Sequence, residues 1–173
     1  MRDKLRRRYQ VQKEVTRNGY FEGEFAQSEL HRLQEFLHPE DSAPSGRDVA
    51  VSFEFVRSEF DVPMIVGKLK TSLDLECQRC LGRLEMPMEL EFQLMIDADD
   101  EMVRASSIDT LYSDDGFIDV FEVIEDELIL AIPLVALHEN IECNEYWRVA
   151  ASAPETADRE NPFAVLKQLK TTD

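Results

Sequence analysis

The fold is decided by residues 69–96, LKTSLDLECQRCLGRLEMPMELEFQLMI. Apolar and polar side chains alternate over residues 69–77 and again over residues 84–96, and a shorter run of the same kind covers residues 49–55. Alternation with a period of two over runs this long is typical of antiparallel strands with one buried and one solvent-exposed face. We therefore expect two long strands joined as a hairpin through ECQRCLG (residues 76–82), with a further strand before them.

Helical spacing of apolar residues occurs on both sides of these strands. The segment AQSELHRLQEFLH (residues 26–38) predicts an N-terminal helix, because its apolar side chains recur at intervals of three and four residues. Residues 119–132 predict a second helix, in which Asp119 and Glu122 resemble a capping box. The second half of this helix, LILAI, is apolar nearly all round, so we expect it to be deeply buried until Pro133 ends the helix.

The sum of these elements predicts an α+β fold. We expect an antiparallel sheet of about five to six strands packed against a buried central helix, with an N-terminal helix and a short C-terminal helix. A length of 173 residues favours one core domain. We place this α+β core domain at residues 1–138, a mobile loop of small and polar residues at 139–160, and a C-terminal helix and tail at 161–173.

The chain is strongly acidic, with a formal net charge of -17. Residues 85–127 contain fifteen acidic residues and one basic residue. Phosphate backbones repel a protein of this charge, so extended direct binding of nucleic acid is disfavoured. The acidic run is either a solvated face or a docking surface for a basic partner, such as a ribosomal protein. The candidate residues of such a surface are Asp99, Asp100, Glu122, Glu125, Asp126 and Glu127.

The N-terminal segment has the opposite charge, since residues 1–17 contain seven basic and two acidic residues. It is either a strand with a solvated cationic face or a segment that contacts RNA. The candidate RNA-binding residues are Arg6, Arg7, Arg8, Lys13 and Arg17.

The sequence favours a cytoplasmic protein that does not contact a membrane. No apolar run approaches the length needed to span a bilayer. The basic N-terminus is not followed by the apolar core and cleavage site of a secretory signal. Three cysteines, an odd number, argue against a disulfide framework.

Cys77 and Cys80 form a C-x2-C pair at the tip of the predicted hairpin. A hairpin turn of this kind presents two thiolates to zinc, and Gly82 allows the reverse bend. His138 and Cys143 provide an H-x4-C pair that completes a four-ligand site. Zinc binding and a structural role for the thiols remain open as alternatives. Redox catalysis is the weaker interpretation, because a strand rather than a helix follows the second cysteine.

The sequence does not predict an enzyme. It contains no glycine-rich phosphate loop, no G-x-S-x-G elbow and no H-E-x-x-H motif. Its many carboxylates have no recognisable base or nucleophile beside them. Exposure on the solvent side of an amphipathic helix accounts for them more simply.

Three blocks of sequence together resemble the YceD family, the large ribosomal RNA subunit accumulation proteins. They are LECQRCLG (75–82), VIEDELILAIPLVALHENIEC (123–143) and NPFAVLKQLK (161–170). The resemblance implies a cytoplasmic factor in ribosome biogenesis that is needed for accumulation of large-subunit (23S) ribosomal RNA. It implies no catalytic activity. Some relatives carry further cysteines where this chain has ALHENIEC (136–143), which favours a metal site there.

The leading hypothesis is a non-enzymatic assembly factor whose acidic surface binds a basic large-subunit ribosomal protein or a pre-ribosomal particle. In this case the contact with 23S rRNA is direct or indirect. The alternatives are a direct RNA-binding module that uses the basic N-terminal segment, and a zinc-dependent regulatory protein.

Overall fold

The computed structural model describes residues 5–38, 47–98 and 108–144 of the chain. The chain forms two compact units, Met1–Leu137 and His138–Asp173. The described residues of the second unit include one 3-10 turn, Ile141–Cys143, before which the Asn140 side chain accepts a hydrogen bond from the backbone N–H of Glu142. The predicted C-terminal helix and most of the predicted loop lie outside the described residues, and the predicted domain boundaries stay a prediction.

Strands dominate the described part of the first unit. Neither of its α-helices is long and apolar enough to cross a membrane. The elements in chain order are β1 (Arg8–Gln10), α1 (Val11–Thr16), β2 (Tyr20–Ala26), β3 (Asp48–Arg57), β4 (Pro63–Glu76), β5 (Arg83–Ile96), β6 (Thr110–Leu111), β7 (Phe117–Asp119) and α2 (Val120–Ala131).

Five of these strands form one sheet in the order β2-β3-β4-β5-β6, and β1 pairs with β7 in a second, antiparallel sheet. β2 to β5 are antiparallel neighbours, and β4 and β5 form the predicted long hairpin. β6 is parallel to β5, with Met95 opposite Thr110 and Ile96 opposite Leu111. The α+β class is therefore confirmed, but the prediction of a wholly antiparallel sheet is wrong. A parallel neighbour needs a connection of a dozen or more residues, and residues 97–109 provide it.

The core begins in an aromatic cluster of Tyr9, Phe21, Phe53 and Phe55, whose ring centroids are 4.5–6.1 Å apart. The three phenylalanines come from β2 and β3, and Phe53 and Phe55 lie on the buried face that the alternation of residues 49–55 predicts. Tyr9 comes from β1, so the cluster attaches the two-stranded sheet to the larger one. Offset and edge-to-face ring pairs of this kind add to the free energy gained by burial alone.

The predicted N-terminal helix over residues 26–38 is wrong. The chain there forms two 3-10 turns, Gln27–Glu29 and Leu33–Phe36, and the N-terminal helix of the structure is instead α1. The backbone N–H groups of Arg32 and Leu33 donate to the carboxylate of Glu125 in α2 instead of to carbonyls of their own helix. A long-range contact thus satisfies the groups that a regular helix would have satisfied locally.

Helix α2 agrees with the predicted segment but is only partly buried. Asp119 is its N-cap, and its side chain accepts hydrogen bonds from the N–H groups of Phe121 and Glu122. The helix ends at Ala131 because Ile132 is extended, as the residue before a proline prefers to be. Leu128 is fully buried, whereas Leu130 is 78% exposed. The expectation that LILAI is deeply buried all round is therefore wrong, and α2 has one buried face.

Candidate functional site

The turn between β4 and β5 carries the two cysteines of the C-x2-C pair. Cys77 follows the last residue of β4, and its N–H donates to the carbonyl of Gly82 at 2.9 Å. The N–H of Leu81 donates back to the Cys77 carbonyl at 2.7 Å. Leu81, with φ of 59°, makes the left-handed bend, so the expectation that Gly82 makes the reverse bend is wrong. β5 follows the turn directly, so the second cysteine precedes a strand and not the helix that a redox pair of this kind requires.

Gln78, between the two cysteines, ties this turn to the chain that leaves α2. Its backbone N–H donates to the carbonyl of Ala136, and its side-chain amide donates to the carbonyl of Leu134, each at 2.9 Å. Two hydrogen bonds from one residue fix the direction of the chain just before His138. They explain how a segment more than fifty residues away along the sequence reaches the cysteine turn.

The four predicted metal ligands are Cys77, Cys80, His138 and Cys143. Their ligand atoms all lie within 4.8 Å of one another. In a tetrahedral zinc site with Zn–S bonds of ~2.3 Å, neighbouring sulfur atoms are about 3.8 Å apart, so this cluster is compact enough for one ion. Three thiols and one imidazole form a donor set typical of structural zinc. The cluster can bind a metal, and four protein ligands would leave no open position for a substrate.

Six acidic residues were predicted to form a partner-binding surface. Asp99 and Asp100 lie outside the described residues. Glu122 and Asp126 are exposed on α2. Glu127 is half-buried, and burial raises the pKa of its carboxyl group, with further contributions from the nearby charges of Asp109 and Asp126.

Glu125 faces inward, unlike its neighbour Asp126. Its carboxylate accepts the N–H groups of Arg32 at 2.6 Å and Leu33 at 3.1 Å, and Nε of Arg32 donates to it at 3.0 Å. The same guanidinium group contacts Asp126 at 2.7 Å. The side chain of Glu125 is 8% exposed, against 53% for Asp126. Its carboxylate therefore holds the 3-10 turn at Leu33–Phe36 on α2 and is not part of the solvent-exposed surface.

A shallow pocket of about 310 Å³ lies beside the start of α2. Arg8 lines it, with its guanidinium carbon 5.3 Å from the centroid of the Phe117 ring and NH2 3.4 Å from a carboxylate oxygen of Asp114. Carboxylates and aromatic rings together are suited to hold a cationic side chain. We call this feature the acidic pocket, and define it by Tyr112, Asp114, Phe117, Asp119, Glu122 and Asp126.

Comparisons with known proteins identify the family of the chain. A family model described as "Large ribosomal RNA subunit accumulation protein YceD" matches residues 65–170. The chain belongs to the YceD family. A YceD relative from Haemophilus influenzae, named "Large ribosomal RNA subunit accumulation protein YceD", is 33% identical over 166 residues, which is 91% of each chain. No solved structure was found to match. The range matched by the YceD family model includes β4 from its third residue, β5, the Cys/His cluster and α2.

The five basic residues predicted to bind RNA all precede the range of the YceD family model. Four of them form ion pairs within the protein, and Lys13 is exposed. Arg7 donates to Asp119 at 2.9 Å, and this contact raises the pKa of its guanidinium group. The other pairs are Arg6–Glu14, Arg17–Glu14 and Arg8–Asp114.

The sequence analysis did not identify two buried carboxylates that form ion pairs. One binds two of these N-terminal arginines, and the other binds two arginines beside the larger sheet. Glu14 in α1 is buried and contacts both Arg6 and Arg17. Asp74, expected on the solvent-exposed face of β4, is buried between Arg47 and Arg83, each 2.8 Å away. Asp74 has no distinctive local signal, because Arg47 and Arg83 come from other segments, whereas Arg17 lies only three residues after Glu14.

Proposed function

We propose that the protein is a non-enzymatic factor in ribosome biogenesis. It supports the accumulation of large-subunit (23S) ribosomal RNA by binding a basic large-subunit ribosomal protein, or a pre-large-subunit particle, in the cytoplasm. Membership of the YceD family and the name of the H. influenzae relative support the cellular role. The acidic pocket is the part of the described surface that supports the mechanism.

The single observation that carries this mechanism is how Arg8 occupies the acidic pocket. Its guanidinium group lies over the ring of Phe117 and beside the carboxylate of Asp114, so the pocket already accommodates one arginine of the protein itself. Glu122 and Asp126 extend the same acidic surface along α2. A partner rich in lysine and arginine would meet several such carboxylates at once. Exposed pairs are weak singly, so binding depends on many contacts and weakens as salt is added.

The Cys/His cluster supports a second, structural proposal. One zinc ion bound by Cys77, Cys80, His138 and Cys143 would hold the β4–β5 turn on the chain that follows α2. The ion supplies folding free energy in such a site and performs no chemistry on a substrate. Elemental analysis of protein purified without chelator tests this proposal. We expect about one zinc per chain, and protein without metal that is equally stable would contradict it.

The binding proposal is tested by affinity capture with matched variants. Glu122→Gln/Asp126→Asn removes two charges from the acidic pocket and leaves the buried Glu125 in place. Glu35→Gln/Glu59→Gln removes two exposed charges elsewhere and is the control. We expect wild type and control to retain large-subunit ribosomal proteins at low salt, and the pocket variant to lose most of them. Equal capture by all three proteins would contradict the role of the pocket.

Direct RNA binding is measured in the same preparation. Lys13→Ala/Arg17→Ala is compared with wild type for affinity to purified 23S rRNA over a range of salt concentrations. Because all four candidate RNA-binding arginines already form ion pairs within the protein, we expect weak RNA binding that this variant does not change. Tight, steeply salt-dependent binding that the variant abolishes would favour the RNA-binding alternative.

A further inference from the structure

The outer edge of β5 has backbone groups that point away from the sheet. The N–H of Met95 donates to the carbonyl of Asp109, and the N–H of Asp97 donates to the carbonyl of Leu111, so the odd-numbered residues at this end face β6. The backbone groups of Met86, an even-numbered residue, point toward β4, because its carbonyl accepts a hydrogen bond from the Ser72 side chain. Strand geometry repeats every two residues. The N–H groups of Glu89, Glu91 and Gln93 therefore point outward.

Within residues 5–38, 47–98 and 108–144, no strand pairs with this edge between residues 84 and 94, since β6 is paired only with Met95 and Ile96. An edge of this length spans roughly 35 Å. Pro87 lies in it, at a position where its missing N–H also faces outward, which is where edge strands accept proline. Residues 89–93 are the part in which every outward position has an N–H donor. We call residues 89–93 the β5 edge.

The charges beside the β5 edge indicate what could pair with it. On the inner side, Lys68 lies opposite Glu91 and Lys70 lies opposite Glu89, and both pairs form ion pairs on the solvent-exposed face. Side chains that lie directly opposite on neighbouring strands interact, favourably for unlike charges and unfavourably for like charges. A strand added on the outer side would be in the same relation to Glu89 and Glu91 as β4 is. Lysine or arginine at its alternate positions would repeat the pattern of β4.

The same carboxylates argue against a second copy of the chain at this position. An antiparallel pair of β5 edges would place glutamates beside glutamates, which is a recognised way for natural sheets to prevent edge-to-edge association. On the opposite face of β5, Leu90 and Leu94 are half-buried. A partner strand with apolar residues between its basic ones would cover these two leucines. The β5 edge would thus favour a partner strand that has basic side chains on one face and apolar side chains on the other.

We propose that the β5 edge binds an extended segment of alternating basic and apolar residues, which adds to the sheet as a further strand. This inference rests on the proposed function, because it assumes a basic protein partner, and it specifies a second mode by which that partner is held. Backbone hydrogen bonds supply affinity in strand addition, and the side chains of alternate residues supply specificity. The acidic pocket and the β5 edge would then engage different parts of one cationic chain.

The test uses the full-length protein and a synthetic peptide of alternating lysine and valine. Two control peptides accompany it: one with the same residues and backbone N-methyl groups along one edge, and one with glutamate in place of lysine. Gln93→Pro removes one outward N–H without changing charge, and Gln93→Ala keeps that N–H. We expect the basic peptide to bind, both control peptides to fail, and Gln93→Pro to weaken binding about tenfold, consistent with one or two lost hydrogen bonds. Gln93→Ala should change affinity less than about twofold.

Amide hydrogen exchange provides the second readout. It distinguishes a bound peptide from another part of the chain or a second copy at the β5 edge. In the free protein, the amides of Glu89, Glu91 and Gln93 should exchange rapidly and become protected when the basic peptide binds. Protection of these amides already in the free protein would overturn the inference, because it would indicate that the chain itself covers the edge. Concentration-dependent dimers that protect them would also overturn it.

The same variants separate this inference from the proposed function. If Gln93→Pro binds the peptide and captures ribosomal proteins as wild type does, while the acidic-pocket variant captures none, the β5 edge is not the contact and the proposed function stands. If wild-type protein captures no ribosomal protein at low salt, the proposed function fails as well. A loss of capture by Gln93→Pro, with unchanged thermal stability, supports the inference.

Discussion

The Cys/His cluster and the acidic pocket contain the side chains that the sequence marks most clearly, and they differ in what those side chains contact. In the cluster, four ligand atoms lie within 4.8 Å of one another. In the acidic pocket, Glu122 and Asp126 project to solvent. Side chains that converge on one another stabilise the protein, whereas side chains that diverge to solvent are available to a partner. Changes to the first region should therefore appear in the free energy of unfolding, and changes to the second in binding.

The largest effect is expected from the loss of metal ligands. Cys77→Ser should lower the free energy of unfolding by several kcal/mol in zinc-loaded protein, because metal-binding energy in such sites is folding energy. Denaturant titration with and without added zinc measures this difference. Glu76→Gln, at the exposed last position of β4 beside the same turn, is the control and should stay close to wild type. Equal stability of Cys77→Ser and wild type under both conditions would show that the cluster does not hold the fold together.

The next largest effect separates two neighbouring carboxylates of α2. Glu125→Ala should cost about 2–3 kcal/mol, because it leaves the N–H groups of Arg32 and Leu33 without their acceptor. Asp126→Ala removes an exposed carboxylate that contacts the same Arg32, and should cost less than about 1 kcal/mol. Thermal or urea unfolding of both variants gives the two values. Similar costs would contradict the distinction between an inward and an outward carboxylate.

A smaller effect is expected at Asp119, which belongs to both kinds of site because it caps α2 and lines the acidic pocket. Asp119→Ala should cost about 1 kcal/mol of stability through loss of the cap. Asp119→Asn keeps a good capping side chain, so its stability should stay near wild type while binding of the basic partner weakens. Unfolding and capture measured on the same samples separate the two roles. Equal loss of stability in both variants would assign Asp119 to charge rather than capping.

The smallest effect concerns pH and Glu127. Burial raises the pKa of this carboxyl group in the folded protein. At a pH between the pKa values of the unfolded and folded states, folding is therefore accompanied by proton uptake. The contribution of Glu127 to stability is then full below the unfolded pKa of about 4.3 and falls as the pH rises through the folded pKa. Glu127→Gln should be slightly more stable than wild type at pH 7, and the difference should vanish in acid. A variant that is less stable than wild type at pH 7 would contradict the assigned cause.

The β4–β5 hairpin could be predicted because its information is local. Alternation indicates which side chains are buried, and its interruption at residues 76–82 marks the turn. The four-ligand requirement of zinc then linked Cys77 and Cys80 to His138 and Cys143 without any structural knowledge. By contrast, β6 has only two residues, Thr110–Leu111, so it shows no alternation of apolar and polar side chains from which a strand could be predicted.

Two of the errors share one physical cause, which is a long-range contact that overrides a local pattern. Residues 26–38 have helical spacing, but Glu125, far away in sequence, binds two of their backbone N–H groups and favours 3-10 turns. Glu125 itself lies in an acidic block, so the sequence predicts that it is exposed, but in the structure it is buried against Arg32. Leu130 reads as buried because its neighbours are apolar, yet it points to solvent. In the first two cases the deciding residue is absent from the local window.

The central claim is that the acidic pocket serves the accumulation of large-subunit ribosomal RNA. The most direct measurement is the ratio of large- to small-subunit ribosomal RNA in cells that lack the protein and are complemented with defined variants. We expect wild type and Glu35→Gln/Glu59→Gln to restore the ratio, and Glu122→Gln/Asp126→Asn, expressed at the same level, to leave the large-subunit RNA depleted. Full restoration by the acidic-pocket variant would contradict the claim.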